Sequence, residues 1–242
     1  MELFTNTIAR VRDFIDEIAP LRTFNGAHLR TWPKGGNRNI VLNQDLGLEL
    51  GSPQQESVSC LLWTEDLSLV NDRLITLAGP DFPESKGKSL PFGKVVLAGV
   101  EGFNEDNAYE RHKEMDFLRY DIDLKGFMLR AVSQYMREWC RISTWAIDNG
   151  LNAHILGYAH MEQFASLPYV RSVEIFYLTA SSSGVQRLRE ITLPAEKTIA
   201  AMNKMASEMD FDCESCDYRE VCDEVDDLKA MRERLLKKRR EG

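Results

Sequence analysis

Between Leu46 and Val100 the chain strings together short apolar runs separated by turn-forming residues. Leu46–Leu50, Ser57–Thr64, Arg73–Ala78 and Lys94–Val100 are rich in β-branched or large apolar residues, and Gly, Pro, Asn or Asp bounds each of them. Arg38–Asn43, just upstream, has the same character. Parallel neighbours need long crossovers, so this close spacing favours antiparallel or mixed pairing. A sixth run, Ser172–Ala180, has apolar side chains on both faces and is expected as a buried strand.

Helical periodicity brackets these strands. Leu3, Phe4, Ile8, Val11, Phe14, Ile15 and Ile18 recur at helical spacing from Glu2 to about Ala19, and Pro20 ends the run. Gly26, Pro33 and Gly35-Gly36 mark residues 21–37 as a loop. Phe127, Leu129, Val132, Tyr135, Met136 and Trp139 suggest a helix over Leu124–Trp139. Shorter helices are expected over Ser143–Gly150, over His160 to about Leu167 and from Val185 to Arg189, the last after a turn at Ser181–Gly184. Pro194 should open a helix to about Met209, and Asp223–Arg240 should form the last one. In that last segment acidic residues lead and basic residues follow, which suits the helix dipole. The sum is an α+β fold, with an antiparallel or mixed sheet of about six strands flanked by helices.

Three of the five cysteines, Cys213, Cys216 and Cys222, follow a C-x2-C-x5-C pattern. Two thiolates in a short loop can face one metal centre, and a third can close it from the far side. Cys222 stands just before the expected last helix, where free N–H groups favour a thiolate, while Asp212, Glu214 and Asp217 oppose one unless a cation is bound. A disulfide, free surface thiols, zinc and an iron–sulfur cluster are the alternatives. The odd cysteine count and a start unlike a signal peptide favour a reducing compartment over a disulfide. Both metals usually take four protein ligands and no histidine is near, so Cys60, Cys140, a second chain or an exogenous group would supply the fourth.

A net charge of −8 argues against a general nucleic-acid surface. No apolar run reaches membrane-spanning length, so a cytoplasmic protein is expected. Gly-x-Ser-x-Gly is missing, and His28, His112, His154 and His160 have no ligand spacing. Arg38 and Arg141 could grip a phosphate or carboxylate bidentately, or serve as buried structural ion pairs.

Several motifs occur in one order. They are Gly35-Gly36-Asn37-Arg38, the run Leu74 to Phe82 ending in Gly79-Pro80-Asp81-Phe82, Leu90-Pro91-Phe92-Gly93, Trp139-Cys140-Arg141-Ile142-Ser143, Gly150 and the strand Val173–Thr179. Together they resemble the central region of the CO dehydrogenase/acetyl-CoA synthase beta subunit family over roughly residues 35–210. The resemblance implies a central-domain-like unit over 1–210 and a separate cysteine segment with an amphipathic helix over 211–242. It implies a [4Fe–4S] cluster at Cys213, Cys216 and Cys222, with zinc left as the alternative from the cysteine spacing, and coenzyme A contact at Arg38 and Arg141. The family's Cys-Gly-Cys nickel site has no counterpart, and a Trp-His-Thr-Gly-Gln-Arg stretch tied to coenzyme A is missing before Trp139. The expectation is therefore an accessory, non-catalytic relative in one-carbon metabolism, with corrinoid or carbonyl-branch proteins as partners. A coenzyme A or acyl-thioester enzyme and a zinc-stabilised interaction module are the alternatives.

Overall fold

The computed structural model describes residues 1–18, 20–26, 31–36, 39–133, 137–207 and 216–241. The elements run α1 (Thr5–Glu17), β1 (Leu21–Asn25), β2 (Leu46–Leu50), β3 (Ser57–Thr64), β4 (Leu74–Ala78), β5 (Ser89–Leu90), β6 (Phe92–Val100), α2 (Ala108–Phe117), β7 (Phe127–Ser133), β8 (Arg137–Ser143), α3 (Thr144–Asp148), α4 (Ala153–Phe164), β9 (Val170–Leu178), α5 (Ser182–Ser207), α6 (Arg219–Glu224) and α7 (Asp226–Glu241). The class is α+β, and both sheets are mixed. One has the order β1-β4-β9-β6-β3, the other β5-β2-β8-β7.

β6 lies between β9, antiparallel to it, and β3, parallel to it. Every residue of β3 and β6 is buried, so both must be apolar or internally satisfied on both faces. One face of the five-stranded sheet meets α1 and α5: Phe14 packs edge-on against Phe176, and Arg12 forks onto Glu174 at 2.5 Å while also donating to the Leu69 carbonyl. The other face meets α4 and the inner face of the smaller sheet. Gly157 lets α4 approach so closely that an added Cβ would stand 2.8 Å from the Ile75 side chain.

The expected strands at Leu46–Leu50, Ser57–Thr64, Arg73–Ala78, Lys94–Val100 and Ser172–Ala180 are present within two residues at each end. The helix expected from His160 starts earlier, at Ala153, and four further expectations fail for identifiable reasons. Residues 39–42 are not a strand, because the Asn39 side chain donates to the Leu124 and Phe127 carbonyls and accepts from Gly126 N–H. The loop expected over 21–37 contains β1, a mostly exposed edge strand on β4 with no apolar alternation to announce it. Leu124–Trp139 is no helix. It contributes β7 and the start of β8, which pair antiparallel, and β8 turns Glu138 and Cys140 inward with Ile142. Polar residues on the buried face hid its period of two. Finally, α5 runs unbroken through Pro194. Val185, Leu188, Thr192, Ala195, Thr198, Met202 and Met205 are buried in phase on both sides of the proline, and that packing outweighs the hydrogen bond Pro194 cannot donate.

The turn between β2 and β3 holds Gly51 at φ +63°, where an added Cβ would lie 2.3 Å from the Glu138 carbonyl oxygen. Gly51→Ala should therefore lower stability by about 2–5 kcal/mol, combining left-handed strain with a backbone clash. Urea unfolding checks this, and the effect should exceed that of Gly87→Ala, whose Cβ would face open space at a similarly positive φ.

Candidate functional site

β8 carries chemistry on both of its faces. Inward, the Glu138 carboxylate meets the Lys94 ammonium of β6 across the two sheets, and both residues are 3% exposed. Ser59 Oγ donates to the same carboxylate at 3.0 Å, and the Cys140 thiol approaches its other oxygen at 3.7 Å. Ser57 Oγ donates to the Glu138 carbonyl at 2.7 Å, and Glu138 N–H donates back to Ser57 Oγ at 3.1 Å. Burial alone would raise the Glu138 pKa, but Lys94, Arg119 and Ser59 bring it below the usual carboxylate value. Burial pushes the Cys140 thiol and the Tyr177 phenol well up, and Glu138 adds to both shifts. The buried Cys140 thiol therefore stays protonated and is not a nucleophile.

Outward, the guanidinium groups of Arg130 and Arg141 each lie 5.3 Å from the Trp139 ring centroid. Arg141 Nε donates to Glu49 of β2 at 2.8 Å. Trp139 Nε1 is buried without a partner among the described residues. The sequence left Arg141 open between an anion holder and an ion pair. The ion pair forms, and the Arg141 side chain is 13% exposed. Arg38, the other anticipated anion holder, lies outside the described residues. The neighbouring Gly35 and Gly36 amides are occupied from within the chain, both donating to Asp123 Oδ1 at 2.9 and 3.0 Å.

Cys213 lies outside the described residues as well. Cys216 is half-buried in the turn before α6, and Cys222 is 2% exposed inside α6. Cys222 therefore does not precede a helix: its N–H already donates to the Tyr218 carbonyl, so the amide cap expected to favour its thiolate is absent. The expected last helix is two, α6 and α7 meeting at Val225. Among the described residues no three His, Cys, Asp or Glu side chains converge as a metal site. A half-buried and a buried thiol suit a cluster in donor chemistry, and Cys213 would have to bring the third sulfur.

His154 Nε2 is 2.9 Å from the Asn25 carbonyl, and its ring stacks on Phe24, so its role is structural. The interior Lys94–Glu138 group was not legible as a site, because lysine and glutamate within strands read as solvent-facing positions.

His112 and His160 sit neutral in the core: burial lowers the first to about 4 and the second well below its ordinary value. In the unfolded chain both would bind a proton near pH 6.5. The unfolded state thus binds more protons below that pH, and stability falls as pH drops from 6.5 towards 4. For His112 alone the loss by pH 4 is about 3 kcal/mol. Urea midpoints across pH 4–8 should show this slope, and His112→Leu should make it shallower while the His160 part remains.

The model of the family described as CO dehydrogenase/acetyl-CoA synthase complex beta subunit matches residues 36–183. The acetyl-CoA decarbonylase/synthase complex subunit beta of Archaeoglobus fulgidus is 27% identical over 189 residues, covering 74% of this chain and 35% of that protein. The chain thus spans about a third of the length of that curated relative.

Proposed function

The chain belongs to the CO dehydrogenase/acetyl-CoA synthase complex beta subunit family, and we propose that it serves one-carbon metabolism by binding rather than by making bonds. In this reading residues 1–210 are the family's central scaffold, and 211–242 form an arm that holds a [4Fe–4S] cluster through Cys213, Cys216 and Cys222. The arm docks on a partner, a corrinoid or carbonyl-branch protein, in the cytoplasm. The observation that carries it is the placement of Cys216 and Cys222 on an arm whose α6 and α7 both pack against α5, beyond the matched residues 36–183. A cluster there would supply electron transfer or partner recognition. The arm's own residues contribute sulfur ligands and a rigid seat, since Cys222 is fixed in the core with Leu228 and Met231. The relative is a subunit of a complex, which favours a protein partner. Among the described residues no helix is long and apolar enough to cross a membrane.

A second reading rests on the outer face of β8. Arg130, Trp139 and Arg141 offer a flat aromatic surface with two cations near it, the chemistry that would take the adenine and phosphates of coenzyme A. Arg38 would add a further cation. The chain would then be a coenzyme A or acyl-thioester-binding enzyme.

Anaerobically isolated protein should be brown and contain iron and sulfide in equal amounts, and Cys216→Ser should lose most of both while keeping its helix content. Zinc in place of iron would convert the arm into a zinc-stabilised interaction module; metal-free, fully folded protein would refute the metal reading. Calorimetric titration with coenzyme A tests the second reading separately. Saturable binding weakened about tenfold or more by Arg141→Ala, the loss of one charge-assisted contact, would support it, and no heat at millimolar ligand would remove it.

A further inference from the structure

Beside the C-terminal end of α4, where β4 and β9 begin, the surface opens into a pocket of about 210 Å³. A cavity of about 150 Å³ holds benzene, so this one has room for a ligand of leucine or methionine size. Its floor is apolar: Met161 and Phe164 of α4 and Val173 of β9 are buried, and half-buried Val170 continues them. Gly157 of α4 packs on Ile75, which pairs with Ile175, so alternation along β9 puts Val173 on this same face.

Two charges of opposite sign stand on the lining on successive residues, Asp72 and Arg73, both exposed. Among the described residues neither joins an ion pair. Asp72 Oδ1 accepts from Val173 N–H at 3.2 Å, and Arg73 Nη1 reaches the Gly26 carbonyl at only 3.4 Å. Arg171, the remaining charge on the lining, is already paired with Glu101. Arg73 is held at φ +58°, the left-handed region, and is the only such non-glycine among the described residues. Strain of this kind persists only where the surroundings enforce it. Here Arg73 N–H donates to the Val173 carbonyl, and the Arg73 carbonyl accepts from Gly26 N–H. Ala165, the C-cap of α4, is on the same lining, and the negative end of the helix dipole favours a cation there, as the Asp72 carboxylate does.

We propose that this pocket binds a free α-amino acid, as its zwitterion, with an apolar side chain of leucine or methionine size. The ligand carboxylate takes Arg73, its ammonium takes Asp72, and its side chain lies on Met161, Phe164 and Val173. A simple anion or cation would answer one of the two lining charges and leave the other, whereas a zwitterion meets both. Neither the proposed metal arm nor the outer face of β8 takes part.

L-Leucine is the probe, titrated calorimetrically into the full chain at pH 7. Saturable binding is expected, with N-acetyl-L-leucine and L-leucinamide each at least about tenfold weaker, since each has lost one charge-assisted contact. Arg73→Gly removes the guanidinium and relieves the left-handed backbone, so the urea midpoint should hold or rise while leucine binding weakens at least about tenfold. Asp72→Asn keeps an acceptor for Val173 N–H and should weaken leucine to a similar degree while leaving N-acetyl-L-leucine unchanged. No saturable heat at high millimolar leucine would overturn the site. N-acetyl-L-leucine or L-leucinamide binding as well as leucine would overturn the zwitterion. Undiminished leucine affinity in folded Arg73→Gly or Asp72→Asn protein would overturn the roles given to those two residues.

Discussion

The Lys94–Glu138 ion pair joins the two sheets inside a continuous apolar core, with both residues buried. Taking both charges out of water is costly, and such a pair returns little net stability over an apolar substitute. Its effect is positional. Removing one partner would leave the other buried and unpaired, a penalty of about 3–5 kcal/mol, so any arrangement that separates β6 from β8 is strongly disfavoured. Ser57 and Ser59 complete the arrangement from β3, so three strands of two sheets are indexed to one carboxylate and its own backbone.

That indexing reaches the surface through the pleat. Glu138 and Cys140 point inward, so Trp139 and Arg141 must point outward. The same strand that is clamped inside therefore presents the aromatic ring, with two guanidinium groups near it, outside. Gly51 serves this geometry from the side, giving the Glu138 carbonyl room that any Cβ would take. One buried charge thus conditions both the fold and the outer face of β8.

Four strands of the large sheet, β3, β4, β6 and β9, were legible because they are mostly apolar and turn residues set their limits, while the exposed edge strand β1 was not. The first helix was legible from a single apolar stripe. β8 was not, because its inward positions are Glu138 and Cys140 and its outward ones Trp139 and Arg141, which inverts the usual pattern. Pro194 misled for a different reason: local propensity gave way to a long packed face on α5. Of the site residues, Arg141 was recognised as an anion holder or ion pair and proves to be paired with Glu49. Cys222 was recognised as a thiol of interest, but its burial inside a short helix could not be read from spacing. Lys94, Glu138 and His160 left no sequence signal, since nothing local separates a buried charge in a strand from an exposed one.

The most direct test is a double-mutant cycle on Lys94→Met and Glu138→Leu, measured by urea unfolding at pH 7. Each single substitution should destabilise by several kcal/mol, and the double variant should recover much of the loss, giving a coupling of at least about 2 kcal/mol. Additive losses, with the double variant as unstable as the sum of the singles, would contradict a clamp between the sheets.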